Sequence, residues 1–423
     1  MSEGQQGQGE GRSPEAPSGG GFSIFKPLRI PQYRRYMLAF FGAGFAFQSS
    51  QVVLGWQTFD LTNDVRTLGS VLFVFGISIV IGSLVGGVAA DRYDRRTIIV
   101  SSQIFNTIIV IALAFAVVFD MVALWQMYAL AGVSGAAQAG HLPARQAFVF
   151  DIVGRKDLPS ALALSTSVMN LMRLASPAIA GVVIAEVGVE AAWFAVAGGM
   201  MVSIFVMLCV IGPTTQKYAA DSHSPLRAMA EGFRYLVGNR TLFLLASIML
   251  GTAIIGLPYR DLMPAFASDA LDLGPRGFGF IMSMVGAGGL LGSITIAFVV
   301  GSGRRTGPVI LAFGTAWGLT LAAVSFAPNV GVAIPLLIML GWANTGFQNF
   351  MNITIQTNVD DAYRGRIMSF SLVTFGLHPI GTLWMGFLAN SLGIRTAFFI
   401  AGVVLAIFVV AIGTWRRDLR RLT

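Results

Sequence analysis

The chain has 423 residues, 55% of them hydrophobic and only 11% charged, with a mean hydropathy of +0.72. Soluble domains carry about 25% charged residues, so the composition excludes an ordinary soluble protein and points to an all-α, polytopic membrane protein. The net charge of +8 does not signal nucleic acid, because the basic residues recur as short clusters between apolar runs, where they set topology and meet lipid headgroups.

Residues 1–25 are rich in Gly, Ser, Gln, Glu and Pro and lack apolar periodicity, so a disordered cytoplasmic tail is expected. The first apolar run begins near Met37, behind Lys26, Arg29, Arg34 and Arg35. It therefore reads as a retained span rather than a cleaved signal peptide.

Crossing the hydrocarbon core takes about 20 apolar residues. Runs of that kind fall at about 36–59, 67–90, 97–119, 121–148, 160–185, 191–212, 241–266, 277–300, 307–327, 331–357, 367–390 and 394–415. Twelve transmembrane helices return both termini to one side. With the N-terminus inside, most of the 28 Lys and Arg residues lie in inner segments, whereas Arg66, Arg276 and Arg395 lie in outer ones; this is the bias of a cytoplasmic N-terminus. The connection 213–240 separates six spans from six. The expected domains are an N-terminal six-helix bundle over 26–212, a cytoplasmic linker over 213–240, a C-terminal six-helix bundle over 241–415 and a basic cytoplasmic tail over 416–423. A weak repeat between the halves, such as Gln146 with Asp151 against Gln356 with Asp361, suits a secondary transporter.

Polar residues inside the spans are the candidate site. Gln48 and Gln51 stripe the first span. Gln138, His141 and Arg145 share a face of the fourth, where His141 either carries a proton near neutrality or is simply hydrogen-bonded. Asn170 and Arg173 share a face of the fifth with Pro177. A charge within a span costs a few kcal/mol, on the order of 2.5–3.5 on insertion scales, so it must face protein or water. Arg173 is thus expected either to line a cavity and attract an anionic substrate or to bind backbone carbonyls and buried water. Cys209 is the single cysteine, so no disulfide framework forms within the chain, and the three scattered histidines make no metal motif.

Arg260 and Asp261 adjoin in the seventh span, as a coupling or substrate pair or as an outer structural ion pair. Asp261 is a candidate for reversible protonation, because burial raises a carboxyl pKa and a nearby arginine lowers it. Asn344, Gln348, Asn352 and Gln356 keep a broad face of the tenth span polar. His378 lies mid-span on the eleventh, with Ser371, Thr374 and Thr382 on or near its face.

The turn running from Gly86 through Asp91, Arg92, Asp94, Arg95 and Arg96, the stretch from Leu142 through Arg145 and Asp151 to Arg173 and Pro177, and Gln356 with Asp361, Arg364 and Arg366 resemble the major facilitator superfamily. Within it they are similar to the enterobactin-exporter-like and multidrug-exporter branch. The resemblance implies two pseudo-symmetric six-helix bundles that alternate access to a central cavity. It also implies a conformational gate in which Asp91, Arg95 and Asp151 form a charge cluster flanked by Arg92 and Arg96; the alternative role of these arginines is topology alone. Asp94 replaces the motif's second glycine, and Tyr128 stands where many proton antiporters have an arginine, so proton coupling is not assigned there.

The expectation is a secondary active transporter, not an enzyme, that exports a drug, siderophore or related amphipathic metabolite by proton-coupled alternating access. A lysophospholipid flippase or solute uptake carrier is the alternative, and a non-transporting receptor or scaffold the reading from another class. No phosphate-cradling loop is present, and no cofactor or metal is expected. The expected partners are a small organic substrate, a proton and membrane lipids, for a monomer in the bacterial inner membrane with both termini cytoplasmic.

Overall fold

The computed structural model describes residues 25–92, 95–210, 234–300, 306–357, 359 and 364–415, and these are helical apart from short connections. We number the long helices α1 (Pro31–Thr62), α2 (Val65–Arg92), α3 (Arg95–Val118), α4 (Leu124–Glu186), α5 (Val189–Leu208) and α6 (Arg240–Gly256). They continue with α7 (Pro275–Val300), α8 (Thr306–Val324), α9 (Val330–Thr357), α10 (Arg364–Leu392) and α11 (Ile394–Trp415). Among the described residues, ten helical stretches are long and apolar enough to cross a membrane. Their outward faces stay apolar, as Phe105, Ile108, Phe205, Phe298 and Ile407 show. A helix that is hydrophobic all round belongs in lipid.

Helix starts follow local chemistry. Asp64 receives the backbone N–H groups of Arg66 and Thr67 at the head of α2. Asn239 receives those of Thr241 and Leu242 at α6, and Asn329 receives that of Val332 at α9. Each side-chain oxygen satisfies donors that the first helical turn leaves open.

Two elements differ from the sequence expectation. The fourth and fifth spans run as one 63-residue helix, α4, interrupted at Gly154 with φ 71° and ψ 177°. Only that residue leaves helical geometry, and glycine adopts positive φ without a Cβ clash. The seventh span, expected to be continuous over 241–266, breaks instead. Beyond α6 the chain turns at Leu257 and Leu262 around the short helices Pro258–Asp261 and Met263–Ala265, then forms a π-turn over Phe266–Ala270. Pro258 and Pro264 have no backbone N–H and interrupt the ladder. Such irregular backbone is tolerated at membrane depth only inside protein, and Tyr259, Leu262, Met263, Ala265 and Phe266 are all fully buried.

Helices before residue 211 pack mostly on one another: α1 on α4 and α5, α2 on α4, and α3 on α4 and α5. Those after residue 233 do the same: α6 with α10 and α11, α7 with α9, α8 with α9 and α11. Two broad contacts join the sets, α2 with α10 and α4 with α7. Both are close backbone crossings. A Cβ on Gly76 would lie 2.2 Å from Pro379 Cγ, and one on Gly286 would lie 2.7 Å from the Arg173 carbonyl oxygen.

Candidate functional site

The break after α6 presents Arg260 and Asp261, both half-buried. Asp261 Oδ2 lies 3.0 Å from His378 Nε2 and also accepts a hydrogen bond from Thr382 Oγ1. The helix period explains the arrangement, since residues four apart on α10 face the same way. Thr382 is fully buried and His378 is buried, whereas Asp261 keeps 18% of its side chain exposed. A carboxylate, an imidazole and a hydroxyl are thereby held together as one hydrogen-bonded unit.

Arg173 approaches from α4. Its side chain is exposed to solvent-sized space, and its charge interacts with that of Arg260. Neither Arg173 nor Arg260 forms a hydrogen bond or ion pair with any described residue. Next to Arg173 on the same face, Asn170 Nδ2 donates to Ser293 Oγ of α7 at 3.4 Å, and Asn349 Nδ2 of α9 donates to the same hydroxyl at 3.5 Å.

The remaining predicted residues divide. Gln48 and Gln51 on α1, and Gln138 on α4, are half-buried and bond to no described residue. On α9, Asn344 is buried with its Nδ2 unsatisfied, and Asn352 Nδ2 donates back to the Gln348 carbonyl at 2.9 Å. Arg145 stands apart from the central group, with its guanidinium carbon 4.5 Å from the centroid of Phe40. Tyr36, Phe40, Gln103, Arg145 and Ser203 line a cavity there with room for about one water. It lies between α1, α3, α4 and α5, and its lining is mostly apolar.

The side chains of Asp91, Arg92, Arg95, His141 and Gln356 lie outside the described residues. Arg96 is described and donates to the Leu208 carbonyl at the end of α5, while Asp151 is half-buried. Ser293 and Asn349 escaped sequence reasoning, the first inside a run of small residues and the second off the expected polar stripe. The pairing of Asp261 with His378 was also invisible, because 117 residues separate them.

A further signal was present in the sequence. Arg66, Gly69 and Gly76 of α2 recur at identical spacing as Arg276, Gly279 and Gly286 of α7. The helices they cross match as well: Arg173 stands to Gly181 and Gly188 as His378 stands to Gly386 and Gly393. Gly188 and Gly393 both have positive φ and turn α4 into α5 and α10 into α11. Arg173 and His378 thus hold matching positions on the two crossing helices.

Comparison with known proteins accords with this geometry. A family model described as transmembrane secretion effector matches residues 22–421. The staphyloferrin A transporter of Staphylococcus aureus (strain NCTC 8325 / PS 47) is 25% identical over 361 residues, covering 84% of this chain and 88% of that protein. The multidrug efflux pump Tap of Mycolicibacterium fortuitum is 24% identical, with 79% and 84% covered. The enterobactin exporter EntS of Shigella boydii serotype 18 (strain CDC 3083-94 / BS512) is 25% identical, with 80% of each covered. Among solved structures, a POT family transporter in complex with a thioalcohol-conjugated peptide superposes with a TM-score of 0.74 at 13% identity, covering 92% of this chain and 96% of that one. The nucleoside transporter NupG superposes with a TM-score of 0.65 at 17% identity, with 93% and 100% covered. The two structures speak to fold alone.

Proposed function

As a member of the transmembrane secretion effector family of the major facilitator superfamily, the chain is a membrane transporter and not an enzyme, and we propose that it exports a small organic solute by proton-coupled alternating access across the bacterial inner membrane. The observation that carries this reading is the pairing of Asp261 with His378 and Thr382 beside the crossing of α10 with α2, where the helices before residue 211 meet those after residue 233. A site at the junction of two bodies changes when they move. Cargo and proton can therefore both act on the same motion.

We read the ten apolar stretches, together with the first part of α4 and with α10, as twelve spans in two six-helix bundles. The matched helix pairings and the repeated Arg, Gly and Gly spacing support a pseudo-two-fold between them. We place both termini in the cytoplasm, on the basic-residue bias, with residues 1–25 and 416–423 as tails and 213–240 as the linker. The bundles meet where Arg66 and Arg276 lie, which we assign to the outer face. Asp91, Arg92, Arg95, Arg96 and Asp151 then belong to a gate at the cytoplasmic end. The Asp261–His378 pair is our proton-binding group. Siderophores and drugs, the cargo named for the relatives, are the solute classes to test first, on a protein acting as a monomer.

Everted membrane vesicles test the reading. With the interior acidified, vesicles bearing the protein should accumulate the exported solute, and collapse of the gradient should stop them. Accumulation in right-side-out vesicles alone would reverse the direction, and insensitivity to the gradient in both would remove the coupling.

A further inference from the structure

Arg35, near the head of α1, and Arg96, at the head of α3, converge on the end of α5. Arg35 Nη1 donates to the Cys209 carbonyl at 3.2 Å, and Arg96 Nη2 donates to the neighbouring Leu208 carbonyl. Because α5 packs on both α1 and α3, the two guanidiniums reach it from two different helices. They satisfy carbonyls that a helix leaves open at its C-terminus, but they bring more charge than that end needs. A helix C-terminus carries roughly half an elementary negative charge, so the pair leaves a surplus of positive charge over it. Among the described residues neither arginine forms an ion pair, and each keeps N–H donors beyond the one it spends on α5.

The side chains around the pair set its depth. Arg35 is exposed and Arg96 half-buried. Further along the same helices Leu38 of α1, Phe105 of α3, and Phe205 and Leu208 of α5 are apolar and exposed. Leu208 thus offers its carbonyl to Arg96 and its side chain to the hydrocarbon. Cations at the rim with bare apolar surface directly beneath them match an anionic headgroup and its acyl chains.

We propose that Arg35 and Arg96 hold the phosphate of one anionic phospholipid, whose acyl chains lie along the exposed face of α5. A guanidinium presents a planar fork of donors that fits two phosphate oxygens at once, and two forks over adjacent carbonyls can share one phosphate. Like charges brought to one helix end repel each other; a phosphate between them removes that repulsion and ties the heads of α1 and α3 together over α5. A zwitterionic headgroup carries a cation of its own, which the two arginines and Arg34 beside them repel, so the site selects net negative lipids. The apolar stripe on α5 makes the ligand a lipid rather than free phosphate. The leaflet, cytoplasmic, rests on the orientation proposed above, whereas the binding does not depend on transport.

Native mass spectrometry of the purified full-length protein tests the site, with dioleoylphosphatidylglycerol, dioleoylphosphatidylcholine or inorganic phosphate added at equal concentration. One phosphatidylglycerol should be retained in preference to phosphatidylcholine, and phosphate alone should not be held. Arg35→Gln and Arg96→Gln should each weaken phosphatidylglycerol binding at least about fivefold, as loss of a charge-assisted hydrogen bond does. Arg34→Gln removes an exposed charge of the same sign with no bond to α5, and should stay within about twofold of the parent. Arg35→Lys and Arg96→Lys keep the charge without the fork; they should fall between parent and glutamine variants, and they keep the test decisive if the glutamine variants fail to fold. Equal retention of the two lipids, parent-like binding by the glutamine or, where those do not fold, the lysine variants, or an equal loss in Arg34→Gln would each overturn the site. Phosphate held through the arginines as firmly as the lipid would overturn the lipid assignment. A transport assay that fails while phosphatidylglycerol still binds through this pair would sink the transport reading alone.

Discussion

Arg276 Nη1 lies 3.2 Å from Glu186 Oε1, an ion pair that joins the head of α7 to the end of α4. Its counterpart is Arg66 at the head of α2, which reaches the end of α10. There the Asn390 amide oxygen, turned toward it, accepts from Arg66 Nε at 3.1 Å and Nη2 at 2.6 Å, and the guanidinium carbon lies 5.5 Å from the centroid of Phe387. The two arginines bind corresponding helix ends at the crossings of α2 with α10 and α4 with α7. The Arg276 pair is exposed, with 71% and 58% of each side chain accessible, so it contributes at most about 1 kcal/mol. Replacing both arginines by alanine should shift an opening equilibrium several-fold without unfolding the protein. Spin labels on Val187→Cys and Asp272→Cys, in a Cys209→Ser background, should report longer and broader distances in the double variant. An unchanged distribution would show that these two contacts do not hold the helix ends together.

Asp261→Asn keeps the size of the side chain and its bond to Thr382 while removing the charge that faces His378. Proton-driven transport should fall at least tenfold, whereas counterflow of labelled against unlabelled solute, which needs no net proton movement, should persist. Loss of both activities to the same extent would identify a structural role for Asp261 and end its assignment to the proton.

Asp64 provides a pH test outside the membrane. Burial alone would raise its pKa, but hydrogen bonds from the Arg66 and Thr67 backbone and the Thr67 hydroxyl, together with the Arg66 charge, outweigh burial and lower it. A folded-state pKa below the unfolded value near 3.8 gives stability that is fully present above that value and is lost as pH falls through the lower folded pKa. Asp64→Ala should cost about 1 kcal/mol, the usual worth of a cap, at neutral pH. Parent and variant melting temperatures should converge below about pH 3; a constant difference down to pH 2 would refute the linkage.

Close backbone contact makes some glycines irreplaceable. A Cβ on Gly341 would sit 2.0 Å from the Val285 carbonyl oxygen, whereas one on Gly198 meets nothing within 4 Å. Gly341→Ala should therefore destabilise by at least the 1–3 kcal/mol typical of overpacking, roughly, by forcing α7 and α9 apart. Gly198→Ala should be neutral or slightly stabilising, since alanine favours a helix. Thermal melts of the two variants in detergent compare them directly.

The membrane class and the helical content were legible because a lipid-facing helix writes its environment into every residue along it. Arg173, Asp261 and His378 stood out singly for the same reason, as polar residues where apolar ones are required. The pairing of Asp261 with His378 was not legible. It depends on the broken segment at Pro258–Asp261 packing against α10. A proline shows that a helix is interrupted, but the direction of the bend comes from the packing around Tyr259 and Phe266. The recurrence of Arg66, Gly69 and Gly76 as Arg276, Gly279 and Gly286 was readable all along. It was obscured because glycine is abundant here, with 50 in the chain, and a spacing gains meaning only once its partners are known.

The glycines on those two crossings have a mechanical effect. Where Gly69, Gly76, Gly181, Gly279 and Gly286 bring main chain against main chain, there are few long side chains to interlock, and interlocked rotamers are what fix one helix against another. On the alternating-access proposal such a seam would act as a smooth bearing: one set of helices would roll over the other with little repacking, so the resistance to motion would fall mainly on the charged contacts at the rim.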